Sequence, residues 1–426
     1  MRRGKLRILM LGWELPPHNS GGLGVACFHM ARAIAQKGGE IAFVLPYSAG
    51  HDCDFMNILA ATNLDPLERF GGSAYDHLDL DAPTFQAPDG GFSIRDVQAK
   101  YAEFVVKHLE QSDYDVVHAH DWLTLEAGMA AKLEFGIPLV AHIHATEFDR
   151  SGGERGNPII HEIEREGLIM ADKIIAVSEY TKKLIAERYE IPLDKIDVAH
   201  NGFDPDDWGQ YDYDPSRLAY IEQKKQEGFK VVSTISRLTI QKGLVHLLRS
   251  FALALKYNPK MLLVIAGDGD QRDELLELSA ELGVMQKVLF TGFIRGQEIR
   301  DVYASADIFV MSSRSEPFGL TAFEAAHHGS AVVLTRQSGV AEVLLNVLKY
   351  DFWDEHRLAD IMVNIAQSPG LAEDLKENIR REYTKLPWSK VAEAILGSYQ
   401  SAVRGMATVQ AARRAVGSRV GARRAA

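Results

Sequence analysis

The fold is decided by the segment Ile308-Phe309-Val310-Met311-Ser312-Ser313-Arg314-Ser315-Glu316-Pro317-Phe318-Gly319-Leu320-Thr321-Ala322-Phe323-Glu324. Its first four residues are apolar on both faces, which is typical of a strand in a covered parallel sheet. Pro317 suits the first position of a helix, and Gly319 lets the backbone approach a ligand closely. The segment therefore predicts a strand, a ligand-binding loop and a helix, the repeating unit of an α/β domain.

Similar units occur on both sides of this segment, in two series. The first series has candidate strands at Arg7–Leu11, Ile41–Leu45, Asp115–His118, Pro138–His142, Lys173–Val177 and Ile196–Val198. The second has Lys230–Ser236, Met261–Ala266, Val288–Thr291, Ile308–Met311 and Ala331–Leu334. Because a polar, irregular stretch at 206–215 separates them, we expect two Rossmann-like doubly wound parallel-sheet domains rather than one eight-unit barrel.

The expected domain boundaries are 1–203 and 204–387, followed by a helical segment at 388–403. Residues 46–93 are rich in Gly, Pro and Asp and predict an irregular insertion. The last stretch, 404–426, contains six arginines and no acidic residue, and we expect a disordered tail.

Composition excludes several classes of protein. The chain has 426 residues, 46% hydrophobic and 25% charged, which is an ordinary globular balance. A net charge of -11 argues against a general nucleic-acid binder, whose surface is basic. Cys27 and Cys53 form neither a disulfide framework nor a zinc-finger spacing. No stretch reaches the ~20 apolar residues of a membrane span, so we expect a cytoplasmic protein without an integral membrane segment.

A glycine-rich loop, Ser20-Gly21-Gly22-Leu23-Gly24, follows the first strand and opens the first helix. The helix N-terminus favours an anion, and the glycines allow it to come close. The third glycine of a dinucleotide fingerprint is replaced by Cys27, so a nicotinamide cofactor is not expected. A plain glycine turn is the alternative.

Two histidine-rich segments, His118-Ala119-His120-Asp121-Trp122 and His142-Ile143-His144-Ala145-Thr146-Glu147, follow parallel strands. They should therefore meet at the carboxyl edge of the sheet. Two H-x-H pairs with carboxylates could bind Zn²⁺, could line a polar pocket for a polyhydroxylated substrate, or could serve turn chemistry alone. We favour a site without a metal.

The second series contributes cations and carboxylates. Arg237 and Lys242 precede a helix, where both charges and the free amides could hold a diphosphate. Glu316 lies in the loop after a strand, and Glu324 lies about two turns into the following helix. One carboxylate could reach a sugar while the other accepts the hydroxyls of a ribose. Asp268-Gly269-Asp270 could hold Mg²⁺, but a turn without metal is favoured.

Taken together, these motifs resemble glycosyltransferase family 4, whose members have two Rossmann domains facing across a cleft (GT-B). The resemblance is strongest to the branch of the glycogen and starch synthases, and it runs from Arg7 to about Val403. It rests on the Glu316/Glu324 pair, on the glycine-rich and histidine-rich segments, on Val177-Ser178-Glu179-Tyr180-Thr181, on Asn201-Gly202 and on Arg237/Lys242.

The resemblance implies a role for each matched residue. Arg237 and Lys242 would neutralise the leaving diphosphate, Glu316 would contact the transferring sugar, and Glu324 would contact the ribose. The amides of Gly319 and Leu320, with Gly21 and Gly22 opposite, would complete the phosphate site. His144 would lie near the donor sugar, and Asp121 would be a sugar- or acceptor-side carboxylate.

The implied reaction is retaining transfer of a hexosyl group, glucosyl first of all, from an ADP- or UDP-hexose to a glycan, with α-glucan as the leading acceptor. No cofactor and no obligatory metal are implied, and the last helix would cross back to the first, acceptor-side domain. Asn19 and His327-His328 depart from the glycogen-synthase pattern, so a lipid-linked or small-molecule acceptor stays open. A same-fold epimerase, a metal-dependent hydrolase at the H-x-H pairs and a non-catalytic sugar binder are the remaining alternatives.

Overall fold

The computed structural model describes residues 5–18, 21–51, 53–63, 85–87, 90–92, 94–154, 156–209, 211 and 213–424, with backbone alone at 85–87, 90–92 and 409–424. Over these residues the chain forms two parallel sheets of seven and six strands. This confirms the prediction of two doubly wound α/β domains.

The first sheet has the strand order β3-β2-β1-β6-β7-β8-β9. Its strands are β1 (Arg7–Leu11), β2 (Glu40–Leu45), β3 (Asn57–Ala60), β6 (Val116–His120), β7 (Leu139–Ile143), β8 (Lys173–Ala176) and β9 (Ile196–Val198), and a separate antiparallel pair is formed by β4 (Phe85–Ala87) and β5 (Gly90–Phe92). The helices of this half are α1 (Gly22–Gln36), α2 (Ile94–Leu109), α3 (Trp122–Phe135), α4 (Glu147–Arg150), α5 (Pro158–Met170) and α6 (Glu179–Arg188).

The second sheet has the order β12-β11-β10-β13-β14-β15. Its strands are β10 (Lys230–Ile235), β11 (Met261–Ala266), β12 (Val288–Gly292), β13 (Ile308–Met311), β14 (Ala331–Thr335) and β15 (Leu348–Tyr350). Its helices are α7 (Ala219–Gln226), α8 (Leu244–Leu255), α9 (Arg272–Glu281), α10 (Gln297–Ser305), α11 (Leu320–His327), α12 (Glu355–Gln367) and α13 (Pro369–Tyr383).

The last helix, α14 (Trp388–Arg424), packs on the first sheet beside α1. Its buried residues, which include Trp388, Ile395 and Tyr399, belong to the same apolar cluster as Met30 of α1. The helix therefore returns to the first half of the chain and joins it to the second.

Two segments differ from expectation. The tail 404–426, expected to be disordered, continues α14 as far as Arg424. Alanine and arginine are strong helix formers, and a docked helix extends more easily than a new one nucleates. The stretch 46–93, expected to be irregular, contributes the edge strand β3, although much of it (64–84) lies outside the described residues.

The strand ends position the candidate site. β1 lies between β2 and β6, and β10 lies between β11 and β13, so each sheet reverses its winding at its centre. Open α/β sheets bind ligands at this point, outside the carboxyl ends of the strands. Within the described part of the chain, no helix is long and apolar enough to cross a membrane.

Candidate active site

Lys242 and Glu316 form an ion pair at the carboxyl edge of the second sheet. The Lys242 Nζ atom lies 2.7 Å from Glu316 Oε2, and the Ser313 hydroxyl donates to the same oxygen at 2.9 Å. Their side chains are 17% and 12% exposed. Because β10 and β13 are neighbours, the loops that follow them meet and bring together two residues 74 positions apart.

Hydrogen bonds from side chains to backbone carbonyls hold these two loops together. The Gln241 side-chain amide donates to the carbonyl of Ser315 at 3.0 Å, and the Ser312 hydroxyl donates to the carbonyl of Lys242 at 2.9 Å. The Arg237 guanidinium makes a long contact of 3.4 Å to Gln241 Oε1. The ion pair is therefore fixed by a scaffold that also carries Arg237.

The Arg237 loop rests on the turn at Gly267-Asp268-Gly269. Gly267 has a φ of 134°, and a Cβ atom there would lie 1.9 Å from the carbonyl oxygen of Ser236, so only glycine fits. The backbone amide of Leu238 donates to the carbonyl of Asp268 at 2.9 Å. This turn supports the Arg237 loop.

Helix α11 is preceded by a glycine with a positive φ. Gly319 has a φ of 106°, and a Cβ atom there would lie 2.7 Å from the sulfur of Met311. In the described structure, no side chain caps the N-terminus of α11 or that of α1, which Gly21 precedes. The first amides of both helices are therefore available to an anion.

A cavity of about 230 Å³ lies between α1 and α11. Leu320 and Glu324 line one wall, and Val25 and His29 line the other. Glu324 accepts a hydrogen bond of 2.7 Å from the Tyr303 hydroxyl. Burial raises the pKa of Glu324, and the Tyr303 hydrogen bond offsets part of that rise.

His144 follows β7 and is held by Asp121. The Asp121 Oδ1 atom accepts from the backbone amides of His144 at 2.6 Å and Ala145 at 3.3 Å. Asp121 is 1% exposed and has a φ of 55°, an uncommon conformation for a residue with a side chain. Burial lowers the pKa of His144 to about 3, which keeps its imidazole neutral near pH 7.

Several residues around the Glu316 loop make contacts that were not predicted from the sequence. The Ser315 hydroxyl donates to Asp149 Oδ1 and lies 2.9 Å from the Tyr180 hydroxyl, and the Ser178 hydroxyl donates to the carbonyl of Pro317 at 2.7 Å. These contacts join the first half of the chain to the Glu316 loop. The Val177–Thr181 segment marked two of them, because Ser178 and Tyr180 lie within it.

Glu14, a buried acidic residue beside the glycine-rich loop, was also not singled out in the sequence. Its Oε2 atom lies 2.7 Å from where a Cβ atom of Gly21 would be, and Glu14 is 1% exposed. A single acid among the apolar residues Trp13 and Leu15 was the available signal.

Within the described residues, two groups have ligand atoms close enough to hold a metal ion. They are Cys27/His120/His144 and His118/His120/His142, and in each the ligand atoms lie within 4.8 Å of one another. Asp268 and Asp270 belong to neither group.

Comparison with known proteins identifies the family. A model described as "Glycosyltransferase Family 4" matches residues 20–207, and one described as "Glycosyl transferases group 1" matches 219–382. An uncharacterized glycosyltransferase of Methanocaldococcus jannaschii is 30% identical over 94% of this chain and 100% of its own length. A glycogen synthase of Mycobacterium tuberculosis is 27% identical over 94% of this chain and 96% of its own.

A solved structure shares the fold. The Anabaena protein HepE in complex with UDP-glucose superimposes with a TM-score of 0.65 at 21% identity, covering 93% of this chain and 100% of that chain. The chain belongs to the family 4 glycosyltransferases and has the GT-B fold.

Proposed function

We propose that the protein is a retaining glycosyltransferase that moves a glucosyl group from an ADP- or UDP-sugar to an α-glucan, without a catalytic metal. Residues 204–387 would bind the donor, and residues 1–203 with α14 would bind the acceptor. The names of the relatives support this choice, since one is a glycogen synthase and a protein of the same fold was solved with UDP-glucose.

The observation that carries the proposal is the placement of Lys242 and Glu316. An ammonium has three donors, so Lys242 can hold Glu316 and still donate to a phosphate. Glu316 then faces the hydroxyls of the sugar attached to that phosphate. In this proposal the bond between sugar and diphosphate breaks beside the ion pair.

The leaving diphosphate needs positive charge that is already in position. Arg237, Lys242 and the uncapped N-termini of α1 and α11 supply it without reorganising during the reaction. Across the cavity from α1, Glu324 would accept hydroxyls of the ribose, and the amides of Gly319 and Leu320 would receive phosphate oxygens.

Bond making and breaking then need no protein nucleophile. The acceptor oxygen attacks the anomeric carbon from the side on which the diphosphate leaves, and the bonding electrons pass to the phosphate oxygen. That oxygen takes the acceptor proton, so the configuration at the anomeric carbon is retained. His144, neutral and held by Asp121, would position the sugar, and Asp121 would act through His144 rather than on the substrate.

A donor titration tests the first half of the proposal. ADP-glucose, UDP-glucose and GDP-glucose would be compared by thermal unfolding of the full chain. A donor at 100 times its dissociation constant stabilises the folded state by ~2.7 kcal/mol. We expect this with the adenine or uracil donor, and no stabilisation by any of the three would overturn the donor assignment.

A transfer assay with the donor so identified tests the second half. Glycogen, a short maltooligosaccharide, a polyprenyl phosphate and glucose 1-phosphate would serve as acceptors, with the anomeric configuration of the product read by NMR. We expect an α-linked product on glycogen. If glucose is transferred only to the lipid or to the small acceptor, the assignment of an α-glucan as the acceptor is wrong. A β-linked product would refute retention of configuration.

A further inference from the structure

Four histidines form one buried cluster beneath the candidate site. His118 and His120 on β6 and His142 and His144 at the end of β7 share a face of the sheet because alternate residues of a strand point the same way. The ring centroids of His118 and His120 lie 4.2 Å apart, those of His142 and His144 lie 4.4 Å apart, and those of His120 and His144 lie 5.2 Å apart. Helix α1 covers this face and brings Cys27 to it.

Some buried nitrogen atoms of the cluster have no hydrogen-bond partner in the described structure. His120 Nδ1 lies 3.0 Å from His144 Nε2, but in the described structure the buried Nε2 atom of His120 has no hydrogen-bond partner. The same is true of His142 Nε2, which lies outside the Cys27 group. A buried polar atom without a partner costs roughly 1–3 kcal/mol. Such atoms are rare enough in proteins that a bound ion is a standard explanation.

The chemistry of the cluster suits a cation. Imidazole nitrogen and thiolate sulfur are both zinc ligands, and the cluster brings the two kinds of group together. Glu14 and Asp121, each 1% exposed, lie close enough to Cys27 to act on its charge. The negative charge of these two buried carboxylates destabilises a bare thiolate at Cys27 but would stabilise a divalent cation bound there.

We propose that Cys27, His120 and His144 bind Zn²⁺. One thiol and two imidazoles are a ligand set that zinc prefers, with a water molecule able to fill the fourth tetrahedral position. On binding, the Cys27 thiol loses its proton to solvent, and its sulfur forms the bond to the metal. The three ligand atoms lie within 4.8 Å of one another, and ligands on a tetrahedral zinc lie roughly 3.5 Å apart, so the side chains close around the ion.

The alternative group, His118/His120/His142, fits less well. Its three imidazoles are fully buried and neutral, so they would leave the double positive charge uncompensated in the protein interior. The Cys27 group has a thiolate to offset the charge. It also has a half-buried member, His144, through which the ion can enter.

Occupation of this site would inhibit transfer. This consequence, unlike binding itself, rests on the proposed function, because there His144 positions the donor sugar. A zinc ion bound to His144 restrains the imidazole and excludes the sugar. Zinc therefore acts as a reversible inhibitor rather than as a cofactor.

Cobalt titration tests binding independently of activity. The full chain, freed of metal with a chelator, would be titrated with Co²⁺ and then with Zn²⁺. We expect one Co²⁺ per chain, a thiolate-to-cobalt charge-transfer band, and displacement by Zn²⁺. Cys53→Ser is the matched control and should keep the band, whereas Cys27→Ser should lose it. Absence of the band in the unaltered chain, or its survival in Cys27→Ser, would overturn the site.

A second variant keeps the test decisive if Cys27→Ser does not fold. His144→Gln changes a half-buried side chain and should weaken zinc binding at least ~10-fold, because loss of a ligand costs no less than loss of an outer-shell partner does. Unchanged affinity in His144→Gln would also overturn the site. For inhibition, zinc should slow the unaltered enzyme and Cys53→Ser, but not Cys27→Ser. Binding without inhibition would leave the site standing and count against the proposed placement of His144.

Discussion

Lys242 and Glu316 form an ion pair that leaves part of the lysine's hydrogen-bonding capacity unused. The Lys242 ammonium neutralises a carboxylate at 2.7 Å and still has donors for an incoming phosphate. Under the proposed function, the pair would place a sugar-binding acceptor beside a phosphate-binding cation. Removal of either member leaves the other charge buried and unpaired, which is costly.

Lys242→Met should lower kcat ~10²-fold or more, because the developing diphosphate charge loses a fixed cation. Steady-state kinetics with the donor found by titration would measure it. Lys230→Met is the matched control, since Lys230 also pairs with a carboxylate, Asp307, at 3.0 Å but at the opposite end of β10. A similar loss in both variants, or none in Lys242→Met, would show that the diphosphate lies elsewhere.

Glu324 should give donor binding a dependence on pH. Burial raises its pKa, so the carboxylate takes up a proton at a higher pH than an ordinary glutamate does. As pH falls through that pKa, the protonated group accepts ribose hydroxyls less well, and the donor KM should rise. The donor KM measured from pH 8 to pH 5 should show this rise in the unaltered enzyme and remain flat in Glu324→Gln. If the donor KM depends on pH in the same way in both proteins, Glu324 does not contact the ribose.

At the scale of elements, a helix start depends on one glycine. Gly319 turns the chain from the Glu316 loop into α11 with a φ of 106°, and the sulfur of Met311 fills the space beside it. This places the first amides of α11 beside the loop that carries Glu316. The sequence predicted a glycine for close backbone approach, and the structure adds that a methyl group here would require the end of the Met311 side chain to shift.

Gly319→Ala should therefore strain the backbone and displace the end of the Met311 side chain. We expect a loss of unfolding free energy of at least the ~1–2 kcal/mol of the positive φ, together with reduced turnover. Gly329→Ala supplies the comparison, because Gly329 has a φ of 88° with nothing within 4 Å of the added atom. Chemical denaturation of both variants measures the difference, and equal losses would exclude the steric part.

At the scale of the molecule, the two halves are joined by Glu342. Its carboxylate accepts from the amides of Glu179 at 2.9 Å and Tyr180 at 2.6 Å, at the start of α6, and lies 2.9 Å from His200. A carboxylate at a helix N-terminus is stabilised by the helix dipole. The contact links the second domain to the first beside the Ser178–Pro317 hydrogen bond and favours the arrangement in which α1 faces α11.

Glu342→Ala should loosen this arrangement and weaken donor binding by roughly tenfold, which corresponds to ~1.4 kcal/mol. Small-angle scattering should show a larger radius of gyration, and a donor titration should show the change in affinity. Glu355→Ala provides a close control, since Glu355 pairs with His246 at 2.8 Å within the second domain and is equally exposed. An unchanged radius with unchanged affinity would contradict the role of Glu342 as a clamp.

The sequence predicted most of the fold because its signals are local. Apolar runs predicted eleven strands of the two large sheets, whereas the edge strands β3 and β15 were missed, since they are short and only partly buried. The H-x-H segment was expected after β6, but β6 extends to His120 and places both histidines in the sheet. The functions of the site residues stay predictions, although their chemistry and loop positions could be inferred from residue type and spacing.

The sequence by itself determined the two α/β series, the family and the loops that carry the candidate residues, because strand periodicity and helix-start chemistry depend on near neighbours. Only the tertiary structure decided which of those loops meet. The contact of Lys242 with Glu316, the cavity between α1 and α11, and the cluster of Cys27 with the histidines all join residues far apart in the chain. Strand order and the docking of α14 fix these distances, and both arise from burial of apolar surface across the whole molecule.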